Sequence, residues 1–109
     1  MDITTITIKI KIECTDNSGL LQKNKFKVAL VFKLIELVNK GIINEKNINE
    51  LNKQISKILG RGHSLKSCVQ FFSGKKAIPH IQSFCNENFL TAVDKDLFLE
   101  KVATFLTFH

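Results

Sequence analysis

The chain has 109 residues, of which 44% are hydrophobic, and a formal net charge of +6. That length suits one domain, and the hydrophobic content argues against a disordered chain. No apolar run reaches the roughly 20 residues that a membrane span needs, and three widely spaced cysteines argue against a disulfide framework. We therefore expect a cytoplasmic, single-domain protein with no membrane interaction.

The N-terminal segment alternates strictly between isoleucine and polar residues from Ile6 to Ile12. A period of two with β-branched residues is typical of a half-buried strand, so we predict a strand at about residues 4–13. A lone strand leaves backbone groups unpaired. Either a second strand lies in the loop-like segments, or the strand pairs with its copy in a homodimer. Paired strands would also offer DNA a face carrying Thr5, Thr7, Lys9 and Lys11.

The rest of the chain shows the three- and four-residue spacing of apolar side chains that predicts helices. Five helices are expected, at about residues 23–40, 47–59, 64–73, 78–88 and 94–107. The first of these is apolar on nearly all sides and is therefore expected at the centre of the domain. The predicted class is α+β, predominantly helical, with one N-terminal amphipathic strand.

Local signals place several helix ends. Gly41 suits the left-handed residue that follows the first helix, and Asn47, with a glutamate three residues later, has the form of a capping box. Ser64 and Asp94 are predicted to cap the third and fifth helices. Pro79 suits the first turn of the fourth helix, where its missing N–H costs nothing.

Positive charge is concentrated in one third of the chain. No acidic residue occurs between Glu50 and Glu87, and this window holds six of the sixteen basic residues. The remainder is neutral, since ten basic residues face ten acidic ones. A contiguous basic window indicates a polyanionic partner more strongly than the net charge does.

Residues 47–72 have the outline of a helix-turn-helix, in which a helix and a glycine-containing turn precede a shorter recognition helix. Lys66 suits guanine acceptors and Gln70 suits adenine, and Ser67 shares their exposed face, while the remaining side chains would contact the phosphate backbone. The residues predicted to contact DNA are Lys53, Lys57, Arg61, Lys66, Ser67, Gln70, Ser73, Lys75 and Lys76. The alternative is an ordinary helical hairpin with a solvated basic face, because the turn is longer than usual and Arg61 replaces a small apolar residue.

The candidate metal ligands and nucleophiles are His63, Cys68, His80 and Cys85. They lack the paired spacing of zinc ligands, and both cysteines lie on apolar helix faces, where a free cysteine is most often buried. No carboxylate in the basic window is present to orient His63 beside Cys68. We therefore predict no enzyme activity, no metal and no cofactor.

The stretch KVALVFKLIELVNKGIIN at residues 27–44, followed by INEL at residues 48–51 and the basic segment near Lys75 and Lys76, is similar to the RteC-like proteins. These are regulators carried on conjugative elements of anaerobic bacteria. The similarity covers about half of the chain and rests on a helix-glycine-helix pattern. It implies a DNA-binding regulator linked to a mobile element.

The leading hypothesis is therefore a small basic DNA-binding regulator that uses the helix-turn-helix-like hairpin. The alternative is a small protein-interaction module, an adaptor or inhibitor, that binds an acidic protein partner. Such a module would dock through its basic face or add its N-terminal strand to the partner's sheet.

Overall fold

The computed structural model describes the backbone of residues 3–108. It describes the side chains of the same residues except residues 39, 99, 102, 103 and 105–108. All the regular elements of the described residues are helices, and the one bridge between extended residues among them joins Thr15 to Leu21. The elements in chain order are α1 (Ile3–Glu13), α2 (Lys23–Asn39), α3 (Ile48–Leu59), α4 (Leu65–Phe72), a 3-10 turn (Lys75–Ala77), α5 (Ile78–Glu87) and α6 (Ala92–Phe108).

The segment predicted as a strand is the helix α1, and the prediction of an α+β fold is therefore wrong. Ile8 and Ile12, which the alternation groups with the buried isoleucines, are 47% and 68% exposed. A stripe with the spacing of three and four residues runs through the same segment and extends beyond it on both sides. The buried residues of this stripe are Ile3, Ile6, Thr7, Ile10 and Cys14.

Thr7 shows how a polar residue is accommodated in this stripe. Its side chain is fully buried, and its hydroxyl donates to the carbonyls of Ile3 and Thr4, each at 3.0 Å. This back-bonding satisfies the hydroxyl within the helix itself. Because the segment is a helix, it needs no second strand. A homodimer or a DNA-reading ribbon made from paired strands has no basis, and neither has docking by addition of an N-terminal strand to a partner's sheet.

α2 lies at the centre of the domain, as predicted, and packs against α1, α4, α5 and α6. Gly41 follows it with a φ of +73°, and the Ile42 N–H donates to the Leu37 carbonyl at 3.0 Å. This left-handed ending confirms the predicted role of Gly41. The buried side chains of α2 are Phe26, Val28, Leu30, Val31, Phe32, Leu34, Ile35 and Leu37.

Four residues were predicted to lie at the starts of helices. The predictions for Ser64 and Pro79 are confirmed, and those for Asn47 and Asp94 are wrong. Ser64 caps α4, since its hydroxyl accepts the Ser67 N–H at 3.3 Å, and Pro79 lies in the first turn of α5. Asn47 makes no side-chain cap on α3. Its side chain instead accepts the Asn44 N–H at 2.9 Å and donates to the Ile42 carbonyl at 2.8 Å, so it braces the preceding loop.

The start of α6 differs from its prediction by one turn. Thr91 precedes the helix and its hydroxyl accepts the Asp94 N–H at 3.2 Å, while the Asp94 carboxylate accepts the Thr91 N–H at 2.9 Å. Asp94 is thus the third residue of α6 in a reciprocal capping box, and not the cap. Among the described residues, no helix is both long and apolar enough to cross a membrane.

Candidate nucleic-acid interface

The predicted helix-turn-helix segment consists of α3, a turn at residues 60–64, α4 and the 3-10 turn that follows, and we call this unit the basic hairpin. Gly60 and Gly62 have φ values of +105° and +91°, which L side chains rarely adopt, so both turn positions favour glycine. Ser56 donates to the His63 carbonyl at 2.9 Å, and Asn52 accepts the Leu65 N–H at 3.0 Å. These two side chains of α3, which the sequence analysis missed, hold the start of α4 in place.

α4 buries one face and exposes the face that was predicted to approach DNA. Its buried residues are Leu65, Cys68, Val69 and Phe72. Lys66, Gln70 and Ser73 follow at spacings of four and three residues and are all exposed, so the helix brings them to one side. The structure thus groups the two predicted base-reading side chains on the solvent side of a short helix.

The six cations of the basic hairpin face solvent without carboxylate partners. Among the described residues, ion pairs join Lys25 to Glu87 at 3.7 Å and Lys40 to Glu36 at 2.9 Å, and neither involves the hairpin. A group of unpaired like charges raises the local positive potential and attracts anions. The six exposed cations are Lys53, Lys57, Arg61, Lys66, Lys75 and Lys76.

Two of the predicted DNA contacts have hydrogen bonds inside the protein. The Ser67 hydroxyl donates to the Ser64 carbonyl at 2.9 Å and accepts the Ser64 N–H at 2.8 Å, which completes the cap of α4. The Ser73 hydroxyl donates to the Gln70 carbonyl at 2.9 Å. Ser67 therefore has a structural role in the hairpin, and we omit it from the contacts proposed below.

The N-terminal turns of α2 add positive charge next to the hairpin, which the sequence analysis also missed. The Lys27 ammonium lies 4.9 Å from the centre of the Phe71 ring on α4. Partial burial, Lys27 and Lys23 together hold the pKa of His63 below its ordinary value of 6.5. Both lysines precede the basic window in sequence, and the packing of α2 on α4 adds their charge to that of the hairpin.

The three cysteines, Cys14, Cys68 and Cys85, are free and buried. Burial raises the pKa of the Cys68 thiol to about 11 and also raises the pKa of the other two thiols. A thiol in such surroundings is protonated at neutral pH and is a poor nucleophile. Within the described part of the chain, no three His, Cys, Asp or Glu residues are grouped as metal ligands.

A separate groove of about 640 Å³ lies between α1, α2, α5 and α6, and no side chain of the basic hairpin lines it. Phe32 lies in this groove and packs against Phe84 and Phe98, with ring centres 4.3 and 4.4 Å apart. The polar lining includes charges of both signs, Lys9, Lys33, Glu13 and Glu36.

No family model, curated protein or solved structure matches the chain.

Proposed function

We propose that the chain is a small DNA-binding regulator that contacts DNA through the basic hairpin. The observation that carries this proposal is the set of six exposed, unpaired cations in a window without any carboxylate. Cations of this kind neutralise phosphates and release counterions, which supplies most of the affinity of nonspecific DNA binding.

In this proposal α4 approaches the major groove with its exposed side. An α-helix with its side chains is about 10–12 Å across, which fits the roughly 12 Å width of the major groove. Lys66 would donate to guanine acceptors and Gln70 would bond bidentately to adenine. The remaining cations of the hairpin, together with Ser73, would contact phosphates and fix the orientation of the protein on the duplex.

A charge-reversal pair with a matched control tests this proposal. Lys75→Glu with Lys76→Glu changes the charge of the hairpin by −4, and Lys9→Glu with Lys11→Glu makes the same change on the exposed surface of α1. Affinity for a random duplex, measured by fluorescence anisotropy at about 100 mM salt, should fall at least about tenfold in the hairpin variant and much less in the control. Equal losses in both variants would show that only net charge matters, and unchanged affinity in the hairpin variant would refute the assignment.

A second candidate function is the binding of an acidic protein partner, and an exposed apolar strip at the start of α6 favours it. Phe89 and Val93 are 93% and 76% exposed, and Leu97 continues the strip one turn later. Phe89 also has a φ of +57°, a conformation that non-glycine residues adopt rarely and often at functional positions. An absence of duplex binding at about 50 mM salt, where nonspecific binding is strong, would favour this second function over the first.

A further inference from the structure

We propose that the groove between α1, α2, α5 and α6 binds a small amphipathic carboxylate, whose apolar part contacts phenylalanine rings and whose carboxylate lies beside Lys9 and Lys33. The volume of the groove, about 640 Å³, is within the range of sites that bind small organic molecules. The groove is separate from the basic hairpin, so ligand binding here does not require DNA binding. We call this space the ligand groove.

The floor of the ligand groove is apolar, and the protein covers it only in part. Phe32 of α2 is buried, and its ring centre lies 4.3 Å from that of Phe84 and 4.4 Å from that of Phe98. These last two residues are only half-buried. The partly buried hydrophobic residues that line the groove are Ala29, Phe84, Leu90 and Phe98. An apolar ligand would remove their remaining surface from water, which favours binding.

The walls of the ligand groove are faces of two helices that pack against each other, α1 and α2. α1 contributes Ile6 and Ile10, which lie one turn apart. α2 contributes Ala29, Phe32 and Lys33, at spacings of three and four residues. Residues at these spacings share one face of a helix. Because both walls belong to packed helices, the groove is already formed in the free protein, as is usual for small-molecule sites.

The charged residues of the ligand groove leave an excess of one positive charge. Glu36 accepts a hydrogen bond from the Lys40 ammonium at 2.9 Å, so its charge is already balanced. Among the described side chains, no ion pair involves Lys9, Lys33 or Glu13. Two free cations therefore face one free carboxylate. Lys33 is half-buried, and an anion beside it would be partly shielded from solvent, where the attraction between opposite charges is stronger.

The charge and the floor together define the chemical class of the ligand. An excess of one positive charge is matched by a single negative charge. A carboxylate carries one negative charge at neutral pH, because its pKa is about 4, whereas a phosphate monoester carries nearly two. The apolar floor requires an aliphatic or aromatic body on the same molecule. The ligand that satisfies both requirements is a free amphipathic carboxylate.

The first measurement locates the ligand and uses decanoate, a straight-chain carboxylate, as the probe. Decanoate is added to the full chain at concentrations too low for micelles, and the methyl groups of isoleucine and leucine are followed by NMR. We expect chemical-shift changes at Ile6, Ile10 and Leu90, and none at Ile55 and Leu59, which are buried residues of α3. Equal changes throughout the core, or no change at about 1 mM decanoate, where even weak binding is detectable, would overturn the proposal.

The second measurement compares ligands that differ in one feature. Decanol and decyltrimethylammonium have the same apolar chain as decanoate, with a neutral and a positive head group. Decanoate should bind most tightly and the cation most weakly. Octanoate should bind up to about 15-fold more weakly than decanoate, since each buried methylene contributes about fourfold in affinity. Binding of the cation as tightly as decanoate would overturn the assignment of an anionic ligand.

A charge-neutralising variant with a matched control tests the two lysines. Lys33→Gln should weaken decanoate binding at least about threefold and leave decanol binding unchanged. Lys46→Gln, at an exposed position outside the groove, should change neither affinity. The double variant Lys9→Gln with Lys33→Gln should bind decanoate no more tightly than decanol. A preference for decanoate that persists in the double variant would overturn the placement of the carboxylate beside these lysines.

Discussion

Substitutions at Thr7 and Ile8 test whether the N-terminal segment is a helix or a strand, because the two structures predict opposite orders of their effects on stability. In α1, Thr7 is fully buried and Ile8 is 47% exposed. In a strand with the isoleucines inward, the two residues would exchange environments, because successive side chains point to opposite faces. The substitutions Thr7→Lys and Ile8→Lys introduce the same side chain at adjacent positions, so their effects on stability should be very different.

The burial of each residue gives the expected magnitudes. Thr7→Lys removes a satisfied hydroxyl and places an unpaired ammonium in the core, which costs about 3–5 kcal/mol. Ile8→Lys gives up roughly half of the 1.5–3 kcal/mol that a fully buried isoleucine contributes, and the better helix propensity of lysine recovers a few tenths of that loss. We therefore expect a loss of about 1 kcal/mol or less for Ile8→Lys.

Urea denaturation followed by circular dichroism at 222 nm measures both free energies of unfolding. Circular dichroism is the appropriate signal because the chain has no Trp and no Tyr. A domain of this size is stabilised by about 5–15 kcal/mol, so Thr7→Lys should strongly lower the urea midpoint or abolish the transition. The reverse order, with Ile8→Lys the more damaging change, would refute the helical assignment of α1.

Three further predictions concern the ends of helices and the buried thiols. Phe89→Gly should raise the free energy of unfolding by about 0.5–1 kcal/mol, since glycine adopts positive φ without strain and the exposed ring has little packing to lose; a loss of stability in urea titration would contradict this. Asn52→Ala should lower it by about 1 kcal/mol, because the Leu65 N–H loses its acceptor, and an unchanged urea midpoint would show that the bond contributes nothing. Cys68 should react with iodoacetamide at pH 8 far more slowly in the native protein than in urea. The folded state should also lose stability as pH rises from 9 to about 11, because the unfolded thiol ionises at 9.0 and the folded one at about 11; a smaller loss in Cys68→Ala would identify this thiol as the source.

The sequence was sufficient to predict the helices after residue 20, because each has its own apolar spacing and its own terminal signals. It was misleading for α1, where an alternating pattern and a helical stripe occupy the same residues. The choice between them depends on which isoleucines α2 and α3 cover, and no local pattern contains that information. The capping role of Asp94 failed because α6 begins earlier than predicted, so that Thr91 reaches the free N–H groups instead. Asn47 lies at the predicted start of α3, but its side chain is bonded to Asn44 and Ile42 in the preceding loop.

In the candidate site too, features set by local sequence could be predicted, and features set by the packing of distant elements could not. The exposed face of α4 follows from spacing within eight residues, and the sequence identified it. Lys23 and Lys27 precede the basic window in sequence, and the charge that they add to the hairpin depends on the packing of α2 against α4. Asn52 and Ser56 carry no sequence signal of their own, because a polar residue on a helix flank is more often simply solvated.

In the proposed function, the cations of the basic hairpin bind the phosphates of DNA. Its most direct test is the affinity of the unmodified protein for a random duplex over a series of salt concentrations from about 50 to 300 mM. With roughly 0.9 counterions released per neutralised phosphate, we expect micromolar binding at low salt and a log–log slope of about −4 or steeper. A slope near zero, or no binding at about 50 mM salt, would show that these lysines are solvated surface and do not bind DNA.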